Sequence, residues 1–366
     1  MSKAAELAKW GEVSTNGQVS GRRNIVINGA MQVAQRSASV TGIGAAGGYF
    51  TLDRWKIDAG ASAGRLTMTQ TADGPSGFAN CLKLDCTTAD TSIAASEYLI
   101  LAQYFEGQDL QSIGKGVAGA KEITVSFYVK GNASATYTVE LRDVDNSRRN
   151  SQEFPVTTDW VRITRTFVAD TTGTLDDDNA GSFALQFWLH AGATYAGGTH
   201  TDNVWHATSN QIVGDNNTSF FDSTDRTFFI TGLQLEVGSV ATPFEHRSYG
   251  EELALCQRYY YRRTIGNSFV DFLPYAIAYA TTDIQGGAFH PVQMRANPTL
   301  AFSGILKAGQ GNAEYASADA TAFTSNSTKD SVAFYTQSNT FSGLTQFRGY
   351  QIYGATNDYM EVIAEL

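Results

Sequence analysis

The stretch TGLQLEVGSVATPFEHRSYGEELALCQRYYYRR, Thr231 to Arg263, changes character three times along its length. It opens as an alternating run, the pattern of a strand with one face turned to a core. Pro243 has no amide proton to give a ladder and is expected to end strand pairing there. Ser248-Tyr249-Gly250-Glu251 then takes the S-x-x-E form of a helix capping box. Leu253, Cys256 and Tyr260 recur at helical spacing, with Leu255 and Tyr259 beside them. The stretch therefore predicts a strand that closes one β domain, a linking helix of about three turns, and entry into a second domain.

Upstream, the period is two. KEITVSFYVKG sets Ile123, Val125, Phe127 and Val129 against Thr124, Ser126, Tyr128 and Lys130. WVRITRTFVAD sets Val161, Ile163 and Phe167 against Arg162, Thr164 and Thr166, and SFALQFWLHAG sets Phe183, Leu185, Phe187 and Leu189 against Ala184, Gln186, Trp188 and His190. These read as half-buried antiparallel strands. NIVINGAM, DRWKIDAG, RLTMTQT, EYLILAQYF, TYTVELRDV and TFFITGLQLEVG add further strands between Gly, Asn, Asp and Ser turns. About nine strands without intervening helices point to a two-sheet, jelly-roll-like β-sandwich. Downstream of Arg263, the runs SFVDFLPYAIAYAT, DSVAFYTQ, QFRGYQIYGAT and YMEVIAEL are again β, separated by small polar loops. No repeat of fixed period is visible, which counts against a solenoid or propeller.

The expected fold class is all-β. Residues 1–20 form an N-terminal anchor peptide and linker, and 21–247 a β-sandwich. Residues 248–265 form the linking helix, and 266–366 a second, smaller β domain. MSKAAELAKW contains helix formers with Ala4, Leu7 and Ala8 on one face and Trp10 at its end. A helix this short is marginal alone in water, so as an anchor it would order against a partner.

Length and composition narrow the function classes. At 366 residues the chain has room for two or three domains, and 42% hydrophobic with 12% aromatic content is that of a folded protein. A formal net charge of −10 repels nucleic acid and anionic membrane as partners. No apolar run is long enough for a membrane span, and the first ten residues lack the apolar centre of a secretion signal. The three Cys show no metal-binding spacing, and Cys81 and Cys86, five apart on one strand, fall on opposite faces. Folding with reduced thiols in a cytoplasm is the expectation.

Enzyme signatures are missing: there is no G-x-S-x-G, H-E-x-x-H, P-loop or dinucleotide-binding glycine motif. No catalytic residue, metal site or cofactor is assigned. The acidic turns TLDDDNAG (Asp176, Asp177, Asp178) and RDVDNSRR (Asp143, Asp145, Asn146) could give oxygen ligands to a structural calcium, though neither matches an EF-hand loop. The aromatic residues give a better lead. Trp188, Tyr195 and Trp205 lie on or just after one strand in the Gly-rich run FWLHAGATYAGGTHTDNVW, with His190 beside them. Exposed rings stack on the apolar faces of sugars while polar edges take the hydroxyls, so Trp188, His190, Tyr195 and Trp205 are candidate carbohydrate contacts. The alternative is that these rings cap the core or fill a subunit interface.

The runs GRRNIVINGAMQVAQRS, YFTLDRWKIDAG and the Thr231–Arg263 junction together resemble tail-fibre and other virion appendage proteins of marine and cyanobacterial tailed phages. FHPVQMRANPTLAFSG and the ending VIAEL are similar to the C-terminal module of such fibres, and MSKAAEL to their leader. The likeness of Thr71 to Thr227 is one of pattern alone. The resemblance implies a carbohydrate-binding-module-like sandwich, a homotrimer, a place on the virion and attachment to phage tail or head proteins through the N-terminus. It also implies contact with a host cell-surface glycan. Many carbohydrate-binding-module relatives carry an acidic residue after the first Asn-Gly, where this chain reads Asn28-Gly29-Ala30-Met31, so an inherited calcium site is not expected. Leu253, Cys256, Tyr259, Tyr260 and Tyr261 are read as an inter-domain strut that could also meet across a threefold axis. The competing readings are a purely structural head fibre, decoration or adaptor protein and, less favoured for want of a solenoid repeat, a polysaccharide depolymerase.

Overall fold

The computed structural model describes residues 22–264, 273–303, 307–310, 313–316, 323–336, 341–353 and 358–366. The anchor residues Ala4, Leu7, Ala8 and Trp10 lie outside that set. The chain divides into two compact units, 1–252 with Leu366, and 253–365.

The first unit is a jelly-roll-like β-sandwich of twelve strands: β1 Ser39–Ile43, β2 Gly48–Tyr49, β3 Lys56–Gly60, β4 Arg65–Thr71, β5 Cys81–Thr88, β6 Tyr98–Glu106, β7 Ile123–Gly131, β8 Ala135–Asp143, β9 Arg148–Val156, β10 Val161–Phe167, β11 Gly181–Ala191 and β12 Thr227–Val237. One six-stranded sheet runs β1-β4-β5-β12-β7-β10 and the other β2-β3-β6-β11-β8-β9, all neighbours antiparallel. Alternation sends Leu66, Met68, Leu84, Phe127, Val129 and Phe228 of the first sheet, and Ile57, Leu101, Val139, Leu141, Phe183 and Phe187 of the second, into one shared core. Phe127, Phe154 and Phe187 meet edge to face there at 5.0–6.1 Å between ring centroids. Each such contact is worth ~1 kcal/mol beyond its buried area. Cys81 and Cys86 are free and buried, Cys86 in this core.

Several expectations need correction. Strand β10 is half-buried as its spacing predicts, but β7 and β11 are more deeply buried than half. In β11 the outward set Ala184, Gln186, Trp188 and His190 is enclosed as completely as the inward one. The cause is a long connection, residues 192–219, that recrosses the outer face of the second sheet. It is pinned by Thr194 N to Ala95 O at 2.9 Å, Ser151 Oγ to Ile212 O at 2.6 Å and Thr218 N to Thr136 O at 2.7 Å. Ile212 and Val213 then form a satellite core with Ile100, Ala102 and Trp188.

NIVINGAM is not a ladder strand. Asn28 adopts the left-handed conformation at φ 58° and organises a turn: its side-chain amide nitrogen donates to Val33 O and Asp53 O, and its oxygen accepts from Gln32 N and Val33 N, all within 3.0 Å. The Asn28 amide donates to Glu252 Oε1 at 2.6 Å and its carbonyl accepts from Trp55 Nε1 at 3.2 Å. The Asp-Arg-Trp triplet thus sits in this knot, and its strand begins only at Lys56.

The last sandwich strand ends at Val237 rather than at Pro243, because Gly238 turns away at φ 117° and donates to Glu122 O. Ser248 does start a helix, its Oγ accepting from the Glu251 amide at 3.3 Å, but the Glu251 carboxylate pairs with Arg22 at 2.5 Å. The helix, Tyr249–Gln257, is shorter than expected. Arg258 and Tyr259 turn, and Tyr260–Thr264 is a strand, so the tyrosines follow strand alternation rather than helical spacing. Tyr259, Tyr260 and Tyr261 are all at most 2% exposed, as is Cys256. Of the strut residues, Cys256 and the three tyrosines are enclosed within the chain, while Leu253 is half-buried.

In the second unit, β13 Tyr260–Thr264 pairs with the chain's last strand, Tyr359–Ile363, which also pairs with Thr299–Phe302. A second, seven-stranded sheet includes Leu273–Ala278, Ile284–Phe289, Ser331–Thr336 and Gly349–Tyr353. Tyr261, Phe334, Ile352, Met360 and Val362 belong to its core.

Candidate functional site

The strand register places the functional side chains. On the outer face of the second sheet, Lys56 of β3, Ala102 of β6, Gln186 of β11 and Glu140 of β8 are cross-strand partners in one row. Asp58, Ile100, Trp188 and Thr138 form the row beside it. Tyr98 and Tyr104 share this face because alternation along β6 returns to it at both positions. From β3 to β8 is three strand spacings, about 14 Å. Residues 192–219 cover part of the face and leave a cleft of about 390 Å³, lined by Lys56, Asp58, Tyr98, Tyr104, Arg142 and Arg149, with Gln186, Trp188, Tyr195 and Ser209.

The aromatic wall is fixed from behind. Trp188 is 3% exposed, and its Nε1–H donates to Glu140 Oε2 at 2.5 Å. Tyr195, carried by the single turn Ala193–Ala196, lies tilted against Trp188 at 5.1 Å between ring centroids and meets Tyr98 edge to face at 5.5 Å. Tyr98 and Tyr195 are half-buried and present the reachable rings.

Opposite them, Asp58 holds Lys56 Nζ at 3.0 Å and accepts from Tyr104 OH at 3.0 Å. Burial and the Asp58 charge push the Tyr104 phenol up, so it remains a hydrogen donor at neutral pH. Gln186 Nε2 approaches the same phenol at 3.4 Å. Beneath the cleft, Glu140 is wholly enclosed; burial raises its carboxyl above the usual range, against the pull of Arg149, Trp188 and Arg142.

Of the four residues predicted from sequence to contact sugar, the structure brings Trp188 and Tyr195 into this cleft. His190 is fully enclosed instead, its Nδ1 2.7 Å from Ser219 Oγ and its Nε2 3.3 Å from Glu97 Oε2, with burial lowering its pKa. It ties the returning connection to the sheet. Trp205 stands elsewhere, its indole donating to Val168 O at 2.7 Å and its ring 5.4 Å from Lys115 Nζ.

That lysine sits at one of the two acidic turns that could give oxygen ligands to calcium. The Lys115 side chain is 2% exposed, and its ammonium pairs with Asp143 and, at 3.1 Å, Asp170, and donates to Thr172 O at 2.8 Å and Gly173 O at 2.9 Å. The ammonium thus lies among oxygens of Asp143, Asp170, Thr172 and Gly173, of which Asp143 belongs to the RDVDNSRR turn. Asp145 instead accepts from the Asp176 amide at 3.0 Å. Among the described residues no group of three or more His, Cys, Asp or Glu side chains could hold a metal ion.

Tyr98, Tyr104, Lys56, Asp58, Arg142, Arg149, Gln186 and Ser209 were not singled out in the sequence. Alternation in EYLILAQYF places Tyr98 and Tyr104 on one face, a usable signal; the arginines and Lys56 join them only through the strand order.

No family model and no curated protein matches the chain. Among solved structures, the enzymatically active domain of bacteriophage CBA120 tailspike protein 4 is similar at 11% identity and a TM-score of 0.31; the match covers 58% of this chain but about a fifth, 21%, of that one. A family 61 carbohydrate-binding module in complex with β-1,4-galactotriose is similar at 10% identity and a TM-score of 0.31, covering 59% of this chain and 99% of that one. A family 11 module from Clostridium thermocellum, in complex with a β-1,3-1,4-mixed-linked tetrasaccharide, reaches 12% identity and a TM-score of 0.28 over 52% and 91%. The sandwich is defined by this chain's own strand pairings, and likenesses this remote add nothing to it.

Proposed function

We propose that the chain is a fibre-type virion protein whose first unit binds a host-surface glycan in the cleft on the second sheet. The observation that carries this reading is the cleft's composition: half-buried Tyr98 and Tyr195 beside a fixed Trp188, facing Asp58, Gln186 and Ser209. Sugar rings present C–H faces to aromatic side chains and hydroxyls to such polar edges. The role is binding and positioning, without bond breaking. The virion setting is supported by the sequence resemblance, with Ala4, Leu7, Ala8 and Trp10 as the face that docks on a tail or head protein. A homotrimer would turn modest single-site affinity into avidity.

The test is binding of the purified full chain to a glycan array and to host cells. Tyr98→Ala and Tyr195→Ala should each abolish binding while the protein stays folded. Failure of the wild type to bind any glycan overturns the reading. Solution mass measurement and imaging of the virion test the trimer and its attachment.

A further inference from the structure

We infer that the cleft selects an acidic glycan, one whose repeating sugar carries a carboxylate or sulfate, held by the guanidinium groups of Arg142 and Arg149; this rests on the glycan-binding reading above. The register sets Arg142 of β8 directly opposite Arg149 of β9. Like charges at directly opposed positions destabilise a sheet unless something neutralises them. The Nε atom of each arginine is shielded from water and has no hydrogen-bond partner. Both side chains are nevertheless partly exposed and line the cleft, so the rest of each guanidinium can be reached from it.

The acidic groups nearby do not hydrogen-bond either Nε atom. Asp58 is engaged by Lys56 and Tyr104. Glu140 gives one oxygen to the Trp188 indole, and its other lies 3.8 Å from Arg149 Nε, beyond hydrogen-bonding distance. His206, bridged to Arg149 through both backbone groups at 2.8 and 2.9 Å, is held toward its neutral form by burial and by the guanidinium charges. Of the charged groups lining the cleft, Lys56 and Asp58 pair with each other, which leaves the two arginines, Arg142 and Arg149, as its excess positive charge. This stands out in a chain of net charge −10. A planar guanidinium fork matches a carboxylate in two parallel hydrogen bonds and also accepts sulfate. The tyrosines would hold the sugar ring and the arginines its anionic substituent.

The experiment compares matched polymers on the full chain by affinity electrophoresis and calorimetry. The pairs are polygalacturonate with its methyl ester, and carrageenan with the same polymer after chemical desulfation. Binding to an acidic member should fall about tenfold or more when its charge is removed, and by a similar factor in Arg142→Gln and Arg149→Gln. Arg149→Lys, which keeps the charge but not the fork, should lose less against sulfate than against carboxylate. Which pair shows the effect identifies the anionic group. If the uncharged member of a pair binds as tightly as the charged one, or both Gln variants keep full affinity, the acidic selectivity is overturned while the cleft stands as a glycan site. If no member of either pair binds and the glycan array is also blank, both readings fall. Should a Gln variant fail to fold, the polymer pairs on the wild type decide.

Discussion

The indole Nε1–H of Trp188 donates to Oε2 of Glu140 at 2.5 Å, joining the ring at the back of the cleft to a carboxyl with no exposed surface. The bond crosses from β11 to β8 beneath the surface a ligand would touch, so it sets the ring's orientation without using the reachable face. Trp188→Phe keeps most of the apolar contact but leaves a buried acceptor unmatched, and should cost ~1–3 kcal/mol in chemical denaturation. The pH dependence has a definite sign. Burial raises the folded-state pKa of Glu140, so the folded protein holds this proton more tightly than the unfolded chain. The associated stability is fully present below the unfolded value of about 4.3 and is lost as pH rises through the folded one. Glu140→Gln should flatten that decline; an unchanged pH profile would refute it.

Gly60 is a position from which Tyr98 can be moved, since a Cβ there would meet the ring edge and lie 3.0 Å from its hydroxyl. A Cβ built on Gly60 would lie 2.6 Å from Tyr98 Cε1 and 2.8 Å from Cζ. The tyrosine must swing aside, because the backbone of β3 is fixed by five consecutive pairs to β6. Gly60→Ala should therefore weaken glycan binding about tenfold while changing stability by under ~1 kcal/mol, since the clash falls on the far end of a movable ring. Unaltered binding, measured by calorimetry on the folded variant, would remove Tyr98 from the contact set.

Lys115 neutralises Asp143 and Asp170 from inside the protein. Lys115→Met would leave the buried Asp143 carboxylate without its cation, while Asp170 keeps Arg148 at 2.8 Å, and should cost ~3–5 kcal/mol. Burial alone would raise the Asp170 pKa, but hydrogen bonds from Arg148 and Lys115 outweigh it and hold the group below the usual carboxylate value. Its contribution is then present above the unfolded value of about 3.9 and lost as pH falls through the depressed one, a loss that Asp170→Asn should remove from the acid titration. With an ammonium seated among these oxygens, calcium and EDTA should give the same melting temperature; a calcium-dependent rise would contradict this assignment.

The sandwich was legible because alternation survives wherever one sheet face meets the core. Ile123, Val125, Phe127 and Val129 point inward as their spacing predicts. The same spacing did not reveal that Trp188 and His190 are enclosed, since their cover is a Gly-rich connection whose path depends on a few long-range hydrogen bonds. Asn24 to Met31 reads in sequence as a strand bounded by turn residues. The Asn28 side chain instead captures four backbone groups and turns the chain. The cleft was half legible. Tyr98 and Tyr104 share a face by local geometry, whereas their meeting with Arg142 and Arg149 follows from the sheet order β3-β6-β11-β8-β9. Local sequence does not encode that order.

Three consecutive tyrosines fit a helix and a strand about equally in sequence, and the second unit supplies a way to test which one governs. Tyr261 OH lies 2.7 Å from His290 Nδ1, while His290 Nε2 lies 2.9 Å from Thr328 O. A carbonyl can only accept, so Nε2 carries the proton and Nδ1 accepts from the phenol. This arrangement uses the neutral imidazole, and burial lowers the His290 pKa accordingly. The folded state therefore resists a proton that the unfolded chain takes up below about 6.5, and stability should fall as pH drops from that value. Tyr261→Phe leaves Nδ1 buried and unpaired, at a cost of ~1–3 kcal/mol at neutral pH. It also lets the imidazole protonate and turn, which should reduce the loss of stability between pH 6.5 and 5. Denaturation of the full chain at both pH values, with His290 followed by NMR, measures the two effects. A Tyr261→Phe protein with wild-type stability and an unmoved His290 titration would show that the phenol faces elsewhere, as helical spacing would require.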